Sequence, residues 1–307
     1  MRWAFFVRGP VLCIVSALLA SCGSLPTASS SGVAPASVAP HAAHGSLLYL
    51  SNVQDHDVEI YSYPDGRTVG KLSNFGQPRS ECADSRGDVW IVDTQALQVE
   101  EYAHGGSAPL VAISTPGVPG GCALSPSGND IAIAGKFQDS SAVVIYHRST
   151  RKYWRDPQLY ASTALVVGAY CGYDAKGNLF VDGLSAAKHG AFALAELAHH
   201  DTALKAVSFG QAIAAPGQVQ WDGQYLALGD AGATPSVVYQ LKIAGGTASV
   251  AGTTTLGSSK SVRQFWIDGS TLVGPDYDSN VGFWSYPAGG SPVKTIKVPG
   301  FGAAVSN

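Results

Sequence analysis

Apolar and polar positions along the chain recur as a unit of two short strands joined by a glycine turn. Residues 82–93 show it: an apolar segment from Cys82, a turn with Gly87, and the run Val89, Trp90, Ile91, Val92 ending in Asp93. The unit returns at 122–135 with Ser-Pro-Ser-Gly as the turn, and at 171–183 with Asp-Ala-Lys-Gly. It returns again at 219–230 with Trp-Asp-Gly and at 265–276 with Ile-Asp-Gly. The turn glycines Gly87, Gly128, Gly177, Gly223 and Gly269 are 41, 49, 46 and 46 residues apart. A second marker follows each unit, an apolar residue three places before an aromatic or leucine. Its copies are Val58/Tyr61, Val99/Tyr102, Val143/Tyr146, Leu194/Leu197, Val238/Leu241 and Val281/Trp284. Turn pairs such as Asp65-Gly66, Gly245-Gly246 and Gly289-Gly290 come next, and such pairs favour hairpins because glycine adopts positive φ cheaply.

Four short strands per period of about 40–50 residues predict an all-β chain built as a β-propeller. From Tyr61 to Trp284 the marker advances 223 residues in five steps, about 45 each, so residues 45–307 have room for six blades and not seven. The strands are apolar on both faces, as expected where each blade packs between two neighbours. The first strand, 47–51, matches the second strand of a unit and lacks an inner partner. The last segment, 299–305, stands where an inner strand is due. The C-terminal strand is therefore expected to pair with the first blade and close the ring, removing two exposed edges.

The N-terminus changes the picture from a domain to an exported, anchored one. Residues 1–21 combine Arg2 and Arg8 with a short apolar core over 9–20, too short to span a bilayer, and read as a secretory signal. Leu19, Ala20, Ser21 and Cys22 resemble the bacterial lipobox, which implies lipidation of Cys22 and a membrane anchor. Residues 23–44 are Ser, Ala, Pro and Gly without periodicity, a flexible tether with an r.m.s. span of about 25 Å. The expected organisation is thus 1–21 signal, 22–44 lipidated cysteine and tether, 45–307 propeller, in the bacterial cell envelope and facing away from the cytoplasm.

Composition excludes some functions. Only 13% of residues are charged and the net charge is −3; without Arg2 and Arg8, 17 basic residues face 22 acidic ones, a net −5. No basic run or aromatic-basic stripe is present, so nucleic acid is not the expected partner. No G-x-S-x-G elbow, P-loop or dinucleotide motif occurs.

The pattern Asp-x-x-Gly-Asn/Asp-Val/Leu-aromatic-hydrophobic-Val-Asp, at 84–93 and 174–182, resembles the NHL-repeat and SMP-30/gluconolactonase-like propellers. The resemblance covers 45–307 and speaks for architecture more than for function. It implies, for the lactonases of that group, one calcium at the channel top held by Glu, Asn and Asp at inner-strand starts. The corresponding segments here are 79–81, 120–121, 169–170, 217–218, 262–263 and 300–301. They supply Glu81 as their one carboxylate and no Asn, whereas calcium takes six to eight oxygens. No metal or cofactor is therefore expected.

Asn52, Asp93, Asp182, Asp230 and Asp276 end second strands, and their recurrence predicts a turn-capping role. Residues that break the repeat are better binding candidates. These are Arg79, Glu81, Tyr170, Arg263 and Phe301 at the expected channel mouth, and Trp154 in a long segment between the third and fourth blades. Cys82, Cys122 and Cys171 lie on successive inner strands. Counted from the turn, Cys122 and Cys171 are in phase and Cys82 is one residue out, so Cys122 with Cys171 is the preferred disulfide and three free thiols the competing arrangement. His199 and His200 belong in an exposed outer turn. The function expected from these features is a monomeric, non-enzymatic binding propeller for a protein, peptide or glycan. The alternative is a lactonase-like hydrolase or lyase.

Overall fold

The computed structural model describes residues 45–307 apart from 151, 152, 155, 156, 189 and 278. The expected signal, Cys22 and tether lie outside the described residues. The described chain is all-β, with one 3-10 turn at Gln138–Ser140. No helix among the described residues is long and apolar enough to cross a membrane.

The strands form consecutive antiparallel groups. The first holds β1 (Leu47–Asn52), β2 (Asp57–Ser62) and β3 (Thr68–Leu72); the second holds β4 (Pro78–Ala83), β5 (Val89–Asp93), β6 (Gln98–Tyr102) and β7 (Pro109–Ser114). The third is β8 (Gly117–Leu124), β9 (Asp130–Phe137) and β10 (Ser141–Thr150), with β11 (Tyr153–Trp154) and β12 (Gln158–Ala161) both pairing β10. The fourth is β13 (Leu165–Tyr173), β14 (Leu179–Ser185), β15 (Phe192–Leu197) and β16 (Lys205–Phe209). The fifth is β17 (Pro216–Trp221), β18 (Leu226–Asp230), β19 (Val237–Ala244) and β20 (Thr247–Thr255). Last come β21 (Trp266–Asp268), β22 (Thr271–Asp276), β23 (Asn280–Ser285) and β24 (Lys294–Ile296), followed by β25 (Gly302–Ser306). β16 and β20 also pair in parallel over two residues each, which fuses the fourth and fifth groups into one eight-stranded sheet. β25 runs antiparallel to β1 from Leu47↔Ser306 to Ser51↔Gly302.

The repeating pattern explains these elements. All five turn glycines have positive φ, between 56° and 101°, which costs a residue without Cβ least. The second strands are buried over most of their length, β1, β5 and β18 at every residue, because apolar neighbours lie on both faces. Most buried clusters are shared by two groups that follow one another, and one joins the first group to the last. Cys82, Trp90 and Val99 of the second group pack with Cys122, Ile133 and Val144 of the third. Ala123 and Ala132 of the third pack with Cys171 and Val181 of the fourth. Leu48 and Val305 pack with Val273 and Phe283 of the last group.

This face-to-face packing corrects the disulfide. The bond joins Cys82 to Cys122, with Cα atoms 5.8 Å apart, and Cys171 is a buried free thiol. In-phase residues on successive sheets point the same way round the stack, so Cys122 and Cys171 can never meet. Cys171 instead places Sγ 3.6 Å from the Ala132 carbonyl, behind it. The one-residue offset of Cys82 turns it forward, towards Cys122. The offset is therefore the condition for the bond between facing sheets.

The strand-ending residues are structural: Asp93, Asp230 and Asp276 bond Ala96 N–H, Gly232 N–H and the Ser279 hydroxyl in their own following turns, as expected, and have further partners besides. Asn52 does cap its own turn, accepting from Gln54 and Asp55 N–H. Asp93, Asp230 and Asp276 mainly accept from backbone N–H groups leading into an inner strand: Gln77, Ala214 and Ala215, Lys260 and Ser261. Asp182 spans two sheets, taking N–H bonds from Tyr170 and Gly217.

Candidate functional site

The inner strands of the second to fifth groups each lose register. The pairing slips between Pro78 and Ser80, between Pro119 and Cys122, between Gly168 and Cys171, and between Pro216 and Val219. In the last group Val262 bridges Asp276 and regular pairing resumes only at Trp266. Bulges bend a strand and re-aim side chains, commonly beside functional sites. Here the unpaired residues include Arg79, Tyr170 and Arg263.

These residues surround a cavity of about 600 Å³. Arg79, Tyr170, Arg263 and Phe301 all line it. The size is within the usual range for a small-molecule or peptide-side-chain site. The Arg79 guanidinium lies 5.1 Å from the Phe301 ring centre, and that of Arg263 lies 5.4 Å from the same centre. Arg263 also faces Tyr277 at 5.3 Å, and Tyr277 meets Phe301 edge-on at 5.7 Å. Phe301 and Tyr170 are buried, Arg79 is half-buried, and Arg263 is exposed. Glycine lets the strands converge: a Cβ on Gly120 would stand 2.7 Å from the Ala169 carbonyl.

Sequence reasoning missed a second ring of lining residues. Thr94, Lys136, Leu184 and Ala231 each follow the second-strand position that pairs with the residue before a bulge, and all line the cavity. Lys260 lines it from the segment before Arg263. The signal was present, since each is one place beyond the end of a repeat unit (Asp93, Gly135, Gly183 and Asp230), but those ends were read as turn positions alone.

Two candidates sit elsewhere. Glu81 is fully buried and does not line the cavity. A Cβ on Gly302 would lie 2.3 Å from both Glu81 Oε2 and Gln264 Oε1, so that glycine makes room for both side chains. Gln264 also fixes this segment, donating to the Glu81 carbonyl at 2.6 Å and accepting from Glu81 N–H. Burial pushes the Glu81 carboxyl up to about 8, with Ser51 acting the other way. Trp154 is 9% exposed and packs edge-on against Trp90 at 5.2 Å. Its segment forms the broken outer edge β11 and β12 on β10 and does not reach the mouth. His199 and His200 are exposed and stacked in the turn after β15.

The calcium set implied by the lactonase resemblance does not fit. Glu81 has Gln264 and Ser51 for neighbours, and the Asp182 carboxylate accepts from two backbone N–H groups. Burial raises the Asp182 carboxyl well above the usual range. Among the described residues, the group of three potential metal ligands is Asp84, Asp88 and Glu101. Arg86 and Arg148 pair with it.

No protein-family description matches the chain, and no curated protein matches it in sequence. Solved structures do. A chain of a nidogen/laminin complex superposes with TM-score 0.68 at 14% identity, covering 86% of this chain and 99% of that one. The Cps50 (Swd1) β-propeller domain of Myceliophteria thermophila gives TM-score 0.56 at 12% identity, covering 83% of this chain and 84% of that domain. The fold is a β-propeller. A Bacteroides caccae protein of unknown function shares this likeness, with TM-score 0.66 at 12% identity over 86% of this chain and 99% of that one. At these identities the likeness carries the propeller fold alone.

Proposed function

We propose that this propeller is an envelope-anchored binding scaffold that takes a protein, peptide or glycan at its bulged mouth. The observation that carries this is the convergence of the repeat-breaking residues Arg79, Tyr170, Arg263 and Phe301 on one 600 Å³ cavity. A propeller neighbour taken from a nidogen/laminin complex supports a protein partner. The lactonase-like alternative draws on Glu81, which is buried away from the cavity, so binding is the better reading.

The same proposal includes NHL-like architecture, six blades, and a ring closed by β25 on β1. The marker spacing and the strand pairing of β1 support it. Deleting residues 299–307 tests the closure, and an unchanged melting temperature would sink it. The anchor reading rests on the lipobox-like run before Cys22. Cys22→Ser should release the chain from membranes, and continued membrane retention would refute the anchor.

Photo-crosslinking in intact cells tests the binding reading. A crosslinking amino acid replaces Val118, at the cavity and 48% exposed, or Val293, 70% exposed and not part of the lining. Adducts from position 118 that are absent from position 293 support the mouth. Equal patterns would overturn it.

A further inference from the structure

The charge of the cavity wall is one-sided. Arg79, Lys136, Lys260 and Arg263 line it, and no Asp or Glu does. Among the described residues, none of these four cations forms an ion pair. Two of them, Arg79 and Arg263, share one aromatic ring, their guanidinium groups 5.1 Å and 5.4 Å from the Phe301 centre. The Nε of Arg79 is buried and has no hydrogen-bond partner among the described residues. Guanidinium groups sharing a ring repel one another, and nothing in the wall offsets them. The acids that end the strands form no ion pair with these cations; Asp93, Asp230 and Asp276 accept from backbone N–H groups instead.

A guanidinium presents a planar fork of donors that matches the oxygens of a carboxylate or phosphate. A cavity lined by one sign of charge between apolar walls also concentrates counter-ions of the other sign. The remaining wall is apolar, with Pro119, Val167, Leu184 and Pro216, and aromatic at Phe301 and Tyr170.

Resting on the reading of the mouth as the binding site, we propose that its ligand is an oxyanion on an apolar or ring-shaped body, gripped by Arg79 and Arg263. A uronic acid of a glycan, a sugar phosphate and the C-terminal carboxylate of a peptide share this chemistry. Lys136 and Lys260 add long-range attraction from the rim, and the body of the ligand rests on the Phe301 and Tyr170 faces.

The test uses the folded mature chain carrying fluorotyrosine, so that Tyr170 and Tyr277 report arrival of any ligand at the mouth by 19F resonance shift. The probes are inorganic phosphate, then matched pairs at constant ionic strength: glucuronic acid with glucose, glucose 6-phosphate with glucose, and a short peptide with a free or amidated C-terminus. The expected result is a saturable shift for phosphate and for each charged partner. Affinity should fall about tenfold in Arg79→Gln and in Arg263→Gln, the loss of a charge-assisted hydrogen bond. Lys297→Gln, away from the cavity, should leave it unchanged. Equal shifts from neutral and charged partners, or shifts untouched by both arginine variants, would overturn the anion proposal while leaving the mouth as a site. Silence of both tyrosines to every probe would overturn it too, and crosslinking from position 118 then decides whether the mouth reading falls with it.

Discussion

Two clusters of this protein set arginine against aromatic rings, and they use the pairing in opposite ways. At the junction of the second and third strand groups, Arg148 lies 4.6 Å from the Trp154 ring and 5.6 Å from Trp90. There it meets the Glu101 carboxylate at 2.5 Å, with side chains only 6% and 1% exposed. At the mouth, Arg79 and Arg263 approach Phe301 at similar distances and meet no carboxylate. The stacking is common to both places, so stacking does not define a site. The presence of an acid decides whether the guanidinium closes a seam or faces outward. The seam is closed several times over, since the Cys82 and Cys122 disulfide and the edge-on tryptophan pair join the same two groups.

Breaking the seam should cost most. Arg148→Met leaves Glu101 buried without its partner, a change worth about 3–5 kcal/mol when a buried pair is halved. Burial already raises the Glu101 carboxyl, and Arg148 is what opposes that rise. The denaturant midpoint should fall accordingly, and phosphate binding at the mouth should persist. Replacing both members, Arg148→Met with Glu101→Leu, should recover much of the loss. A double variant as weak as the single one would contradict the ion-pair account. Next in size is the disulfide. Its 40-residue separation sets a chain-entropy contribution of about 4 kcal/mol, of which proteins commonly realise about 2–4. Cys82→Ala with Cys122→Ala should lower stability by that amount, whereas Cys171→Ala should leave the bond intact. Peptide mapping that found Cys171 oxidised would refute the facing-sheet argument.

The disulfide shows where the sequence was legible and where it was not. Periodicity named the strands and the turn glycines, and four of the five residues expected at the mouth line the cavity, because burial on two faces and positive φ leave local marks. Phase within a strand was also readable, but its meaning depended on which faces of successive sheets meet. That is a tertiary relation, and reading it as though equal phase brought residues together gave Cys171 in place of Cys82. Trp154 failed for a related reason. A long interval looked like a loop, yet its residues pair with β10 and cover the seam. Glu81 was placed at the right height in the repeat, but Gly302 opens a space that draws it into the interior beside Gln264. No local signal distinguishes a side chain aimed at solvent from one aimed into such a gap.

Glu81 supplies an effect that is modest per pH unit and has a definite sign. Its carboxyl rises from the ordinary 4.5 to about 8, so the folded state holds a proton that the unfolded chain has released. Stability therefore falls as pH climbs through the interval from 4.5 to about 8 and levels off above it, by on the order of 1 kcal/mol per pH unit. Glu81→Gln keeps the shape without the titration and should flatten that slope. Asp182 is raised by the same cause and adds a residual slope of the same sign. Denaturant midpoints across pH 4 to 9 (roughly the interval in which a raised carboxyl titrates) check this, and a slope unchanged in the variant would assign it elsewhere.

The smallest stability change should come from the mouth, and its smallness is what matters. Arg263 is exposed, and an exposed cation over an aromatic ring contributes about 0.5–1 kcal/mol. Removing it also relieves repulsion with Arg79 across Phe301, which acts in the opposite direction. Arg263→Gln should therefore shift stability by less than about 1 kcal/mol either way, while phosphate binding weakens about tenfold. Arg148→Met should do the reverse, losing stability and keeping the ligand. The two variants together separate an arginine that holds the fold from one that is held by it. If Arg263→Gln instead destabilised the protein as much as Arg148→Met, the mouth arginines would be structural, and the contrast between the two clusters would disappear.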